Sequence, residues 1–176
     1  MPLIMLVGDH AVPLKGLCVM TPCQDRLMTD IASVHPSDSR AQRDAERVIL
    51  AALSDRLGVP LAKTSIATAN GGRVEIDGAS PDLSVLVEIF AHQGKVLSGQ
   101  GRKLAQDILK LTWIRQQASA SRILLAIADP VVELYLGRPK AWLTQAIIDL
   151  GVEVVRIELD AAVSHGLQRA QADQYR

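Results

Sequence analysis

Between Glu75 and Lys110 the chain gathers the residue types that metal-dependent phosphate chemistry requires. A short predicted strand ends in Glu75-Ile76-Asp77-Gly78, and a second carries Val87-Glu88-Ile89-Phe90-Ala91-His92. A helix opening with Ser98-Gly99-Gln100-Gly101-Arg102-Lys103 follows. Paired across the Gly78–Asp82 turn, the strands would bring Asp77 and Glu88 within reach of one ion. Mg²⁺ (or Mn²⁺) is the cation expected there, because such ions take carboxylate oxygens and leave the remaining positions to water and substrate phosphate. Once bound, the ion would polarise a phosphoryl oxygen and acidify an attacking water.

Strand alternation puts Glu88, Phe90 and His92 on one face and Val87, Ile89 and Ala91 on the other, while Glu75 and Asp77 share a face. On the helix, Gln100, Lys103, Asp107 and Lys110 recur at i, i+3, i+7 and i+10, a polar stripe beside the apolar Leu104, Ile108 and Leu111. Lys103 lies near the point where the Glu88 strand hands over to the helix. An ammonium there would orient a water or neutralise charge on phosphate, with Gln100 helping to position either. The same stripe also reads as a solvated face with a Lys103–Asp107 pair worth about 0.2–0.5 kcal/mol. His92 is either a phosphate contact or a hydrogen-bonded strand-end histidine.

The elements that must hold these residues are legible from periodicity. Ser37 or Asp38 caps a helix whose Ala45, Val48, Ile49, Ala52, Leu53 and Leu57 recur on one face, and Gly58 and Pro60 end it. Leu61–Ala69 is a strand closed by the hairpin turn Asn70-Gly71-Gly72, Arg73–Asp77 a second, and Leu83–Ala91 a third. The third is too apolar for an exposed edge. The basic helix spans Ser98–Ala118, and Ile123–Ala128 is a doubly buried strand. Asp129-Pro130 starts a helical stretch to Leu150 that breaks at Gly137-Arg138-Pro139. Val152–Leu159 is another strand, and Asp160 caps a final helix. Trp113 and Trp142 fall in apolar helical patterns and are expected in the core. The meander is antiparallel and the crossovers parallel, which predicts an α/β fold with a mixed sheet between helices.

At 176 residues, 48% hydrophobic and 22% charged, the chain has the bulk of one globular domain. Nineteen cationic residues balance nineteen acids, so any anionic ligand must be held by local charge. From Lys95 to Arg122 there are six basic residues against the single acid Asp107. No apolar run reaches the roughly 18 residues of a membrane span. Met1–Val7 reads as a buried strand rather than a signal peptide, which with only two cysteines points to a cytoplasmic protein. Cys18, Cys23, His10 and His35 have poor zinc spacing and read as free thiols and unrelated histidines. No glycine-rich phosphate loop or dinucleotide fingerprint is present.

Glu75-x-Asp77-Gly78 followed by Glu88-x-Phe90 resembles the PD-(D/E)XK nuclease superfamily, as does the order α-β-β-β-α-β-α-β over residues 37–159. The resemblance implies a restriction-endonuclease-like core, hydrolysis of DNA phosphodiester bonds, and Asp77 and Glu88 as metal ligands. Pro81-Asp82 spells the motif's "PD", but only five residues separate Asp82 from Glu88, so Asp77 is the better match. Glu46 on the first helix matches an acid that some members use near the metal. The triplet's lysine position holds Phe90, and Lys103, or second to it Lys95, would have to supply that charge. Without it, the domain would be an inactive nuclease-like module binding nucleic acid or a protein partner through its basic helix. Residues 1–34 are an extension of unassigned structure and 35–176 the nuclease-like domain. A homodimer would let two sites cut two strands, although no feature marks an interface.

Overall fold

The computed structural model describes residues 40–174. The expectations for residues 1–34, including the strand at Met1–Val7, and those for His35 and for the cap at Ser37 or Asp38 lie outside the described residues.

Five strands form one mixed, open sheet in the order β1-β2-β3-β4-β5. They are β1 (Ala62–Ala67), β2 (Arg73–Ala79), β3 (Val85–Phe90), β4 (Arg122–Ile127) and β5 (Val152–Arg156). β1 to β3 are antiparallel neighbours, and β3, β4 and β5 run parallel. The helices are α1 (Arg40–Leu57), α2 (Ser98–Ala118), α3 (Pro130–Leu136), α4 (Trp142–Asp149) and α5 (Ala161–Gln174). The antiparallel-then-parallel sheet follows from a tight hairpin at Gly71 (φ +83°) and from helical crossovers before β4 and β5.

Two apolar layers cover the sheet. Leu86, Phe90, Leu125 and Ile127 meet Leu104, Ile108, Leu111 and Ile114 of α2 together with residues of α3 and α4. On the other face Val85, Val87, Ile89, Leu124 and Ala126 meet Ala45, Ile49 and Leu53 of α1 and Leu167 of α5. β3 is central and buried throughout, which accounts for its apolar run. Asp129 caps α3 through Val131 N (2.6 Å) with proline following it, and Asp160 accepts from Val163 N (2.8 Å) at the start of α5.

Two expectations need correction. β2 does not stop at Asp77 but runs on through Gly78, which pairs with Val87, and Ala79, which pairs with Leu86. The β1–β2 register shifts between Ala62↔Ala79 and Thr64↔Ile76, so β2 carries one extra residue at Asp77–Gly78. A Cβ on Gly78 would drive into Leu50 Cδ1, so the glycine lets α1 approach the sheet there. The tryptophans are not core. Trp113 is 42% and Trp142 71% exposed, because Leu104, Ile108, Leu111 and Ile114 already fill the inward face of α2 while Leu143 and Ile147 fill that of α4.

Phe90 fills the layer beneath α2 and is 3% exposed, so its side chain belongs to the core. Phe90→Ala should cost about 3–5 kcal/mol of unfolding free energy, measured by urea denaturation. A loss below about 1 kcal/mol would mean that the side chain does not support this layer.

Candidate functional site

β2 and β3 share only two residue pairs, Gly78↔Val87 and Ala79↔Leu86, and then separate. At the separation the side chain of Asp77 takes the place of a missing ladder carbonyl. Its Oδ2 accepts the N–H of Ile89 at 2.9 Å. The bulge at Asp77–Gly78 produces this arrangement, since an extra residue both ends pairing and re-aims a side chain.

Glu88 points toward α2 with its neighbours Leu86 and Phe90, and is 1% exposed. Lys110 Nζ lies 2.6 Å from its Oε2 and also donates to the carbonyl of Glu75 at 3.2 Å. Among the described residues, Oε1 of Glu88 has no hydrogen-bond partner. Burial, and then the charge of Asp77, push the Glu88 carboxyl up to about 8 despite the opposing pull of Lys110. Neither protonation state satisfies Oε1: as a carboxylate it is an unused acceptor, as an acid an unused donor.

Asp107 is likewise buried, 4% exposed, and Lys103 Nζ meets both its oxygens at 2.8 and 3.1 Å. Burial raises the Asp107 carboxyl, with Lys103 pulling the other way. For Lys103 burial opposes the charge, but Asp107 outweighs it, and Asp77 and Glu88 add to the rise. The electrostatic neighbourhood therefore joins Asp77, Glu88 and Asp107 with Lys103 and Lys110. Lys63 also feels the charge of Asp77.

Asp77 also belongs to a second space. A pocket of about 200 Å³ is lined by Arg43, Glu46, Arg47 and Leu50 of α1, Lys63 of β1, and Asp77 and Ile89. Gln42 donates to Glu46 Oε1 at 3.0 Å.

Asp77, Glu88 and Lys103 thus feel one another's charge, with Glu88 under α2 and Asp77 in the pocket that Glu46 also lines. Gln100 serves the helix instead, since its Oε1 accepts the N–H of Leu97 at 3.1 Å and closes the first turn of α2. His92 is held between the Lys95 carbonyl (3.1 Å) and Gln171 (3.1 Å), at the end of β3 and against α5. Asp82 organises the β2–β3 turn by accepting from Ser80 Oγ, Ser84 N and Ser84 Oγ, which hold its carboxyl down at about 2. Sequence reasoning missed Lys110 as the cation facing Glu88, although it sits on the same stripe as Lys103, two turns on. Lys63 was missed entirely.

The basic stripe is mostly neutralised from within. Lys103 serves Asp107, Lys110 serves Glu88, Arg115 caps the Leu150 carbonyl at 3.2 Å and Arg122 forks onto Glu153. Only Lys95 and Arg102 lack an acidic or carbonyl partner among the described residues.

Carboxylate oxygens are the donors that Mg²⁺ or Mn²⁺ takes, and among the described residues Oε1 of Glu88 is a buried carboxylate oxygen without a partner. No group of three or more histidine, cysteine, aspartate or glutamate side chains that could hold a metal occurs among the described residues. Among them, no helix is long and apolar enough to cross a membrane. Comparisons with protein-family models, curated proteins and solved structures give no match to this chain.

Glu88 makes a pH prediction. Its folded value lies above the ordinary 4.5, so between about pH 5 and 8 the folded state holds a proton that the unfolded state has released. Its contribution to stability is therefore complete at low pH and is lost as pH rises toward 8, at up to about 1.4 kcal/mol per pH unit. Glu88→Gln should flatten that decline in urea titrations; equal slopes for both proteins would refute the assignment. Asp77→Asn, which keeps an acceptor for Ile89 N–H, should bring the Glu88 carboxyl back toward its ordinary value by NMR titration.

Proposed function

We propose that this domain is a metal-dependent phosphodiesterase acting on DNA, built on a restriction-endonuclease-like core. The observation that carries the reading is the unpartnered, fully buried Oε1 of Glu88 beside Asp77, where β2 and β3 separate. Burying a carboxylate oxygen without a partner costs about 1–3 kcal/mol or more, and a site that uses the oxygen for a ligand gives that cost a purpose. The element order, with three antiparallel strands and then a parallel one, supports the same reading.

Asp77 and Glu88 are the residues that would hold Mg²⁺ or Mn²⁺. When bound, the ion would polarise a phosphoryl oxygen and acidify a water. The chain's own contribution is positional. The Ile89 N–H fixes the Asp77 carboxylate, Lys110 restrains one oxygen of Glu88, and α2 excludes solvent from its side chain. In the reaction a water oxygen bonds to phosphorus as one ester P–O bond breaks, leaving a phosphomonoester and a hydroxyl that takes up the proton.

A second reading rests on Phe90. With that side chain in the core, β3 carries no ammonium beside Glu88, and a domain that binds without cutting has the same fold.

Mn²⁺ calorimetry on the wild type, Asp77→Asn and Glu88→Gln separates the two. Binding by the wild type and at least a tenfold loss in both folded variants would support the enzyme, and a DNA cleavage screen with Lys103→Ala should follow. Absence of Mn²⁺ binding, even with short DNA present, would leave the non-catalytic module.

A further inference from the structure

Where α3 gives way to α4, the chain builds a basic and aromatic corner that the proposed site does not use. From Leu134 to Ile148 it carries Arg138 and Lys140 and no acid. Glu133, the acid just before this stretch, is taken by Arg156 at 2.8 Å. Arg138, Lys140 and Trp142 are all exposed. The Arg138 guanidinium lies over the Tyr135 ring, 4.7 Å from its centroid. Stacking of this kind covers one face of the guanidinium and, in an exposed arginine, leaves the other open to a second flat partner. Tyr135 also meets the first turns of α2, where a Cβ on Gly101 would come within 3.0 Å of its hydroxyl, so the exposed Arg102 borders the corner. Arg102 and Lys140 have no hydrogen-bond or ion-pair partner among the described residues.

The corner is held in shape. Ala141 N donates to the Arg138 carbonyl at 3.0 Å and Thr144 Oγ1 to that of Leu136 at 2.7 Å, with Pro139 stiffening the turn. Trp142 therefore follows Arg138 by one closed turn. Leu143 and Ile147 take the inner face of α4, which leaves the indole 71% exposed. Exposed flat side chains among cations are what single-stranded nucleic acid takes, because unpaired bases stack on them while ammonium and guanidinium groups follow the phosphates. A lipid surface would need a helix with a free apolar face. Helices α3 and α4 turn theirs to the core through Val132, Leu136, Leu143 and Ile147.

We propose that the α3–α4 corner binds single-stranded nucleic acid, with one base stacked on Trp142, another against the Arg138–Tyr135 pair, and Lys140 and Arg102 on the phosphates. The surface lies outside the acid cluster, and the inference does not rest on the metal-dependent reading above.

The test is fluorescence anisotropy of a short fluorescein-labelled oligothymidylate across a salt series, with EDTA present so that no metal takes part. Tryptophan emission is followed beside it in a Trp113→Phe background, where Trp142 is the one indole left. Binding should quench that emission, as a base covers the ring. Trp142→Ala should bind about tenfold more weakly with the salt slope unchanged, since it removes stacking and no charge. Lys140→Ala should instead lower the slope of log affinity against log salt by about 0.7. A duplex of the same length should bind more weakly, because its bases are not free to stack. Wild-type affinity in Trp142→Ala, or unquenched emission on binding, would overturn the inference. So would tighter binding to the duplex, or binding to phosphatidylserine vesicles with none to the oligothymidylate.

Discussion

The hydrogen bond from Ile89 N–H to the Asp77 carboxylate is the constraint on which the rest of the site depends. A central strand cannot leave its N–H groups unpaired, and the ladder between β2 and β3 ends after two residue pairs. By satisfying that donor with a side chain, the chain lets the strands part without an orphaned amide. The separation opens Asp77 to the α1 pocket on one side while Glu88 stays under α2 on the other. Gly78 makes the same bulge tolerable for α1, whose Leu50 occupies the space a Cβ would need.

The charge cluster beneath α2 contributes little net stability. Burying carboxylates beside ammonium groups typically gives back little more than the desolvation costs, and apolar residues of similar size would do as well. Here Glu88 and Asp107 each face one lysine, and Oε1 of Glu88 is left without a partner among the described residues. Helix α2 nevertheless keeps a full apolar stripe of Leu104, Ile108, Leu111 and Ile114, which anchors it independently of the charged groups. Packing therefore holds the frame independently of the polar stripe.

Much of this architecture was legible in the residues because the signals were local. Helical periodicity placed α1 and α2, turn chemistry placed the meander, and the Asp129-Pro130 pair placed the start of α3. Asp77 and Glu88 were singled out for the same reason, as acids on adjacent strands. What escaped depended on distant contacts. Which of Lys103 and Lys110 meets Glu88 is set by how far α2 slides along the sheet, and a stripe at i and i+7 presents both to the same face. Asp77-Gly78 has the composition of a turn, and only pairing with both β1 and β3 makes it a bulge within a strand. Lys63 becomes a neighbour of Asp77 only after that bulge and the seating of α1. The tryptophans misled because an apolar helical pattern does not say which of its members the core has room for.

Their placement has an optical consequence. The chain has two tryptophans, and both stand in the outer helical layer rather than against the sheet. Indole emission from this protein therefore carries a solvent-exposed character while the molecule is fully native. It reports the outer surfaces of α2 and α4, and is nearly blind to the interior around Glu88. A partner that covers those helices would shift the colour of the light, whereas a rearrangement at the Asp77 bulge would pass in the dark.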